Sequence, residues 1–215
     1  MTNQARPSRS VLRRRIHVGC GPLSLKPGWW NVDIRAFEGV DEVLDVTLPW
    51  DGLSNVTHVY AEHFLEHLGL EQACEFLKHA QRAMEPTGRI RLTTPSLEWV
   101  HQTHLSLPAT SRDDQVHQTL AINRAFKGWG HQFLWSRGML EHVLGSLGYQ
   151  QVAFYDYGIS ADPVLHDQEQ HGGFEVVGGY PSVWIVEALA GAPADTTKLD
   201  HLLESLFYRQ VRSGH

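Results

Sequence analysis

The sequence contains only two cysteines in 215 residues, Cys20 and Cys74. This number excludes a disulfide scaffold and a zinc site built from four cysteines, and it makes a reducing, cytoplasmic setting the expected one. Apolar residues never run to the roughly 18 uninterrupted positions that a transmembrane helix requires, so no membrane span is expected.

Basic residues are scarce beyond the N-terminal region. Lys and Arg number 18 against 24 Asp and Glu, which gives a formal net charge of −6. Five arginines precede residue 16, whereas the first acidic residue is Asp33. The rest of the chain lacks the basic stripe that phosphate neutralisation requires, so no nucleic-acid partner is expected. Residues 1–13 are predicted to be a flexible basic tail, in preference to a transit peptide, because the first strand pattern begins near Arg15.

The composition that remains, 42% hydrophobic and 20% charged, is that of an ordinary globular domain, here residues 14–215. Short apolar runs predict strands over residues 16–18, 30–34, 42–46, 57–61, 89–94, 151–157 and 182–189. Apolar residues at helical spacing predict helices over residues 64–84, 137–147 and 198–211, whereas residues 96–135 have a less regular pattern. This order predicts an α/β domain with a largely parallel sheet.

Glycine and acidic residues occur where the first four predicted strands end. The Gly19-Cys20-Gly21 turn follows the first strand, Asp33 and Asp45 end the second and third, and Glu62 and His63 follow the fourth. Because the carboxyl ends of parallel strands meet at one edge, these residues are expected to converge on a ligand. Glycines allow a close approach of backbone to ligand, and a carboxylate such as Asp33 suits a ribose diol.

At this point the chain resembles a known family. The segments RIHVGCGP, WNVDI, VLDVTLPW, YAEHFLEHL and GRIRLTTPSLE are similar, in order and spacing, to class I S-adenosylmethionine-dependent methyltransferases. The resemblance covers about residues 15–100 and is greatest to a small bacterial branch associated with cell-envelope sugars. The segment GHQFLWSRGMLEHVLGSLGY resembles a later helix of the family. The resemblance implies a Rossmann-like, seven-stranded, mostly parallel sheet with an antiparallel last strand and helices on both faces.

The resemblance also implies S-adenosylmethionine as the cofactor and a binding role for the strand-end residues. These are Gly19, Cys20, Gly21, Asp33, Asp45, Val46, Ala61, Glu62 and His63. The glycine turn is implied to pack against the methionyl part, Asp33 to hold the ribose hydroxyls, and Asp45 with the Val46 backbone to bind adenine. Ala61, Glu62 and His63 are implied to line the methionine and sulfonium. The chain departs from the family at His17, where many members carry an acidic residue.

Methyl transfer in such a family is an in-line displacement, and the resemblance implies a small-molecule or sugar-containing acceptor. An oxygen acceptor must lose a proton, and histidine is the commonest base near neutral pH. His63, at the strand end, and His131, within residues 129–135, are therefore the candidate catalytic residues. Residues 101–135 and 159–181 are predicted to be substrate-side insertions. A homodimer stays open as the assembly.

Three other functions are alternatives to the methyltransferase interpretation: a zinc hydrolase, a dehydrogenase and a silent cofactor-binding module. His63, Glu66 and His67 match the H-x-x-E-H pattern of a zinc hydrolase, with Glu141 as a further ligand. That interpretation leaves the glycine turn and both aspartates unexplained, so no metal is expected. A nicotinamide dehydrogenase is disfavoured because Ser24 replaces the third glycine of G-x-G-x-x-G. A catalytically silent module that binds the cofactor would carry the same binding residues and is left open.

Overall fold

The computed structural model describes residues 14–106 and 108–212, so the predicted tail over residues 1–13 lies outside the described residues. Its strands are β1 (Arg15–Val18), β2 (Trp30–Asp33), β3 (Glu42–Val43), β4 (Val56–Glu62), β5 (Met84–Pro95), β6 (Gln150–Phe154), β7 (Val176–Val177), β8 (Tyr180–Pro181) and β9 (Val183–Leu189). Strands β7 and β8 form a separate hairpin, and the other seven form one sheet.

Six α-helices accompany the strands within the described residues. They are α1 (Leu70–Ala83), α2 (Leu97–His104), α3 (Arg112–Lys127), α4 (Arg137–Leu147), α5 (Thr197–Leu203) and α6 (Arg209–Arg212). Short 3₁₀ turns cover Leu65–His67 and Gly128–Gly130, and a π turn joins α5 to α6. In the described ranges, no helix is both long and apolar enough to cross a bilayer.

The sheet has the order β3-β2-β1-β4-β5-β9-β6. Neighbouring strands from β3 to β5 pair in parallel, whereas β9 pairs antiparallel with both β5 and β6. The predicted fold class, a seven-stranded and mostly parallel sheet with an antiparallel last strand, is confirmed. The carboxyl ends of β1, β2 and β4 therefore meet at one edge of the sheet, where a ligand of such a fold binds.

The two faces of the sheet are covered differently. Ile16, Val59 and Leu92 belong to the apolar face, which packs in one core with residues of α1, α4 and α5. The connections over residues 19–29 and 34–41 contain no helix, because they are shorter than a helical crossover requires. The opposite face is instead covered by residues 156–171, termed the covering segment. Leu165 of this segment packs against Tyr60 of β4 and Trp29, which precedes β2.

The predicted helix over residues 64–84 is wrong at its start, since α1 begins at Leu70. His63 has a left-handed backbone, with φ of 47°, and the chain then makes only a 3₁₀ turn. The Glu66 carbonyl accepts hydrogen bonds from the backbone N–H groups of Gln132, at 2.7 Å, and Phe133, at 3.2 Å. A tertiary contact thus takes the carbonyl that a continuing helix would have used, which periodicity cannot reveal.

Two further predictions need correction. The third strand ends at Val43 rather than at residue 46, because Asp45 accepts hydrogen bonds from Thr47 and forms a local turn. The segment without a regular pattern contains helices α2 and α3, which start at serine caps: Ser96 accepts from Trp99 N and Ser111 from Asp114 N, both at 3.1 Å. By contrast, α4 has the predicted boundaries, with Ser136 as its N-cap and a left-handed Gly148 at its end.

Candidate cofactor and acceptor site

A cavity of about 540 Å³, the large cavity, opens at the carboxyl ends of β1, β2 and β4. Five of the predicted cofactor residues line it: Gly19, Asp33, Asp45, Val46 and His63. Its volume lies within the range of roughly 300 to 1,000 Å³ that small-molecule sites occupy. The strand ends therefore converge on one cavity, as the sequence order predicts.

The glycine turn contributes Gly19 to the lining of this cavity. Gly19 and Gly21 have φ of 63° and 54°, a left-handed conformation that favours glycine. A Cβ on Gly19 would lie 2.4 Å from Cδ2 of Phe64, so the turn also packs too tightly against that ring for a side chain. The N–H of Gly21 donates to Asp33 Oδ2 at 3.0 Å, and the turn thereby holds the carboxylate in place.

Asp33 is a buried carboxylate that stays ionised. Its Oδ1 accepts from the backbone N–H of Arg35, at 3.0 Å, and from Arg35 Nε, at 3.2 Å. Burial acts to raise the pKa of Asp33, but the hydrogen bonds from Arg35 and Gly21 together hold that pKa below its usual value. The Arg35 side chain is largely exposed, and displacing its Nε would leave Asp33 able to accept hydrogen bonds from two hydroxyl groups.

Asp45 borders the same cavity beyond β3. Its Oδ1 accepts from the N–H of Thr47 at 3.0 Å and from Thr47 Oγ1 at 2.7 Å. Both bonds fall on one oxygen, so Oδ2 keeps its capacity to accept from an amine. Asp33 and Asp45 thus supply two separate carboxylates, which suits the diol and the exocyclic amine of an adenosine group.

The other predicted cofactor residues, Cys20, Gly21, Ala61 and Glu62, do not line the large cavity. Cys20 and Ala61 are buried, and burial raises the pKa of the Cys20 thiol to about 12, which makes the thiol unreactive. Glu62 lines a different cavity. His17, the departure from the family pattern, is buried on the opposite face of the sheet, with Nδ1 3.1 Å from Asn31 Oδ1.

The second cavity, the small cavity, measures about 180 Å³. Its lining includes Glu62, His63 and His171, together with Tyr157 and Phe174, whose ring centroids are 6.1 Å apart. His63 lines the large cavity as well. One imidazole therefore separates a cavity with carboxylates suited to adenosine from a smaller cavity with aromatic walls.

The Glu66 carboxylate fixes the orientation of His63. His63 Nδ1 donates to Glu66 Oε1 at 3.0 Å, and Glu66 Oε2 accepts from Thr94 Oγ1 at 3.1 Å. The bond at Nδ1 leaves Nε2 as the nitrogen available to a ligand. Burial acts to lower the pKa of His63, but Glu66 outweighs burial and raises it. The left-handed φ of His63 is a strained conformation of the kind that often occurs at functional sites.

Glu62 lines the small cavity and binds the backbone of the covering segment. Its carboxylate accepts from Tyr60 OH at 3.0 Å and from the N–H groups of Gln170 and His171 at 2.9 to 3.0 Å. Burial acts to raise the pKa of Glu62, whereas the hydrogen bonds from His171 and Gln170 lower it below its usual value. The carboxylate stays charged and holds the segment that forms one wall of the cavity.

A buried ion cluster anchors the covering segment to the centre of the sheet. The guanidinium of Arg91 lies between Glu169, at 2.6 Å, and Glu187, at 2.5 Å, and all three side chains are almost inaccessible to solvent. Arg91 Nη1 also donates to the carbonyl of Ile159 at 3.0 Å. Residues 159 and 169 of the predicted insertion are thus fixed rather than free.

His131, the second candidate base, lies outside the linings of both cavities. Its Nδ1 donates to the carbonyl of Ala125 at 2.9 Å, and its ring centroid is 5.2 Å from that of His67. The structure groups His131 with Glu66 and His67, not with the His63 of the zinc hydrolase pattern. Glu141 pairs instead with Arg137, at 3.0 Å, on the surface.

Several lining residues were not among the predicted cofactor and catalytic residues. The large cavity also contacts His67, Trp129 and Gln132, and the small cavity contacts Tyr157, Phe174 and His171. The Gly128-Trp129-Gly130 turn offered one signal, since Trp129 is 77% exposed with φ of 56°. The residues of the small cavity come from a glycine-rich segment whose path depends on the buried ion cluster, so the sequence alone gave no means to place them.

No protein-family model matches the chain, and no curated protein matches it. Solved structures do match. A CurJ carbon methyltransferase is 14% identical, with 82% of this chain and 48% of that chain covered and a TM-score of 0.47. Human N-acetylserotonin methyltransferase in complex with SAM is 15% identical, with 86% and 51% covered and a TM-score of 0.47. A SAM-dependent methyltransferase from Archaeoglobus fulgidus is 14% identical, with 84% and 88% covered and a TM-score of 0.45.

The chain spans about half the length of the first two of these proteins. At such identities and TM-scores, these matches assign no ligand or activity to the two cavities.

Proposed function

We propose that the protein is a class I S-adenosylmethionine-dependent methyltransferase that methylates an oxygen of a small-molecule or sugar-containing acceptor. One observation carries this proposal: His63, oriented by a buried carboxylate, lines both the large cavity and the small cavity. A methyltransferase needs a cofactor site and an acceptor site that meet at the reacting atoms, and His63 stands where these two cavities meet.

The residues of the large cavity fit the cofactor. Asp33 would hold the ribose hydroxyls and Asp45 the adenine amine, while the glycine turn lets the backbone approach the ligand without side chains. Val46 contributes apolar surface beside Asp45. The buried position of Cys20 gives the thiol no part in the chemistry.

When bound, S-adenosylmethionine supplies an activated methyl group for in-line displacement by the acceptor oxygen. The protein then has to align the acceptor, exclude water and remove one proton. His63 Nε2 takes the proton of the acceptor hydroxyl, since Nδ1 is already bound to Glu66. Glu66 stabilises the resulting imidazolium. His131 is the weaker candidate for the base, because it lines neither cavity.

The small cavity is the proposed acceptor site. Its volume of about 180 Å³ admits one small ring rather than an extended chain, and the rings of Tyr157 and Phe174 offer faces on which a sugar can stack. Glu62 and His171 add polar partners for hydroxyl groups. The predicted insertion over residues 159–181 thus supplies part of the substrate side. A homodimer and a cytoplasmic setting stay predictions from the sequence.

The test is methyl transfer from S-adenosylmethionine labelled on its methyl group to a panel of sugars, sugar nucleotides and phenols. We expect the full chain to label at least one hydroxyl-bearing compound, and His63→Gln to abolish that labelling. A catalytically silent module would instead bind S-adenosylhomocysteine and label none of them. Failure to bind S-adenosylhomocysteine at all would contradict both interpretations.

A further inference from the structure

We propose that Glu66, His67 and His131 bind one divalent transition-metal ion beside the large cavity. One donor atom from each of the three side chains lies within 4.8 Å of the other two. An ion about 2.1 Å from every donor needs these atoms somewhat closer together, so small side-chain rotations would complete the site. It is the single group of this kind found among residues 14–106 and 108–212.

His131 is oriented as a metal-binding histidine would be. Its Nδ1 donates to the carbonyl of Ala125 at 2.9 Å, which places the proton on Nδ1 and leaves a lone pair on Nε2. Metal-binding histidines commonly donate their second ring nitrogen to a carbonyl or carboxylate, because that bond fixes the tautomer and the ring plane. The rings of His131 and His67 then meet edge to face, with centroids 5.2 Å apart.

Glu66 supplies the anionic ligand. It is fully buried, and its two oxygens already accept from His63 and Thr94. Each carboxylate oxygen has two lone pairs, so one of them can bind a cation while keeping its hydrogen bond. Such hydrogen bonds to a liganding carboxylate are the usual outer support of a metal site.

Backbone contacts hold the two halves of the site together. The Glu66 carbonyl accepts from the backbone N–H groups of residues 132 and 133, and Gln132 Nε2 donates to the His67 carbonyl at 2.6 Å. Gly130 and a left-handed Trp129 turn the chain so that His131 faces His67. The donors come from segments more than 60 residues apart, so this docking is a property of the fold and not of a local helix.

The donor set indicates the kind of cation. Two imidazoles and one carboxylate suit Mn²⁺, Fe²⁺, Co²⁺ or Zn²⁺, whereas Mg²⁺ and Ca²⁺ prefer oxygen ligands throughout. Three protein ligands also leave coordination positions free for oxygen atoms of a further molecule. His67 lines the large cavity, so those positions would adjoin it. Metal binding does not rest on the proposed methyltransferase function, because none of the three ligands lines the small cavity that is the proposed acceptor site.

The test is isothermal calorimetry of the full chain, freed of metal with a chelator that is then removed, with Mn²⁺, Co²⁺ and Zn²⁺ as separate titrants. We expect at least one of these ions to bind saturably with one equivalent. His67→Ala and His131→Ala should each weaken that binding at least tenfold, because each removes one ligand. The exposed His117→Ala is the matched control and should leave it unchanged.

Two results would overturn the metal site: no saturable uptake of any of the three ions, or uptake that persists unweakened in both ligand variants. The visible absorption of Co²⁺ added to the unmodified chain is a second readout that needs no folded variant. A spectrum identical to that of the aqueous ion would also overturn it. Calorimetry with S-adenosylhomocysteine on the same metal-free protein separates the two proposals, since cofactor binding should persist without the ion.

Discussion

His63 Nδ1 lies 3.0 Å from Oε1 of Glu66, a carboxylate that has no exposure to solvent. The chain reaches this geometry by a left-handed residue at the end of β4 and a single 3₁₀ turn. This backbone path places the His63 imidazole, whose Nδ1 is bound to Glu66, between the large cavity and the small cavity. The pair therefore gives a specific means to test the chemistry separately from the binding of the cofactor.

Replacing His63 by glutamine should remove catalysis and keep the cofactor site. Loss of a positioned general base typically reduces rate by a factor of about 10² to 10⁴. We expect a loss in that range in the methyl-transfer assay, with the affinity for S-adenosylhomocysteine changed less than about threefold. The exposed His142→Gln is the control and should behave as wild type. Full transfer by His63→Gln would remove His63 as the base.

Asp33→Ala should weaken binding of the cofactor and leave the fold intact. The substitution removes the carboxylate expected to accept from the ribose hydroxyls, and leaving buried hydroxyl groups without their partner costs roughly 1 to 3 kcal/mol. Calorimetry with S-adenosylhomocysteine should therefore show an affinity between about 5-fold and 150-fold lower. Asp51→Ala changes an exposed aspartate outside the large cavity and is the matched control. Equal affinities of both variants would contradict the role of Asp33.

The sequence predicted the sheet and the convergence of its strand-end residues on one edge, because local signals determine both. Short apolar runs locate the strands, and Gly19, Asp33 and Asp45 follow strand ends that the parallel topology brings together. The caps Ser136 and Gly148 likewise act within one turn of the chain. Such features need no knowledge of distant contacts.

The parts that the sequence did not predict depend on long-range contacts. The helix start moved from residue 64 to Leu70 because the Glu66 carbonyl bonds with residues 132 and 133. The pairing of Arg91 with Glu169 joins positions 78 residues apart and fixes the covering segment. The contact between His67 and His131 likewise depends on the hydrogen bonds that join residues 132 and 133 to Glu66. A single sequence offers no signal for such pairs.

His17 should make the protein less stable in mild acid. Burial lowers the pKa of His17 from 6.5 to about 4, so the unfolded chain binds a proton at a higher pH than the folded chain does. Its contribution to stability is therefore complete above about pH 6.5 and is lost as the pH falls towards 4. This difference corresponds to about 3 kcal/mol in the free energy of unfolding.

Urea unfolding between pH 7 and pH 4 measures this effect. Wild type should lose about 3 kcal/mol more than His17→Gln over that interval, because the variant lacks the titrating imidazole. The exposed His117→Gln should keep the wild-type dependence. Parallel curves for wild type and His17→Gln would show that this imidazole has no part in the acid sensitivity.

Arg91→Met should destabilise the fold strongly. The substitution leaves Glu169 buried without its cation and Glu187 with only the more distant Arg89, at 3.8 Å, and removing one partner of a buried ion pair costs about 3 to 5 kcal/mol. For a chain of this length, the melting temperature should fall by roughly 6 to 20 °C. Arg212→Met breaks exposed ion pairs and a surface contact with the Tyr208 ring, and it should cost about 1 kcal/mol or less. Similar melting temperatures of the two variants would contradict an anchoring role for Arg91.

The most direct test of the central claim is whether the large cavity binds the cofactor product. The measurement is thermal unfolding of the full chain with S-adenosylhomocysteine, with NAD as the control ligand. At about 100 times its dissociation constant, a ligand adds ~2.7 kcal/mol, which raises the melting temperature of a chain this long by about 5 to 10 °C. The account predicts that rise with S-adenosylhomocysteine and none with NAD. No rise with S-adenosylhomocysteine at millimolar concentration would contradict it.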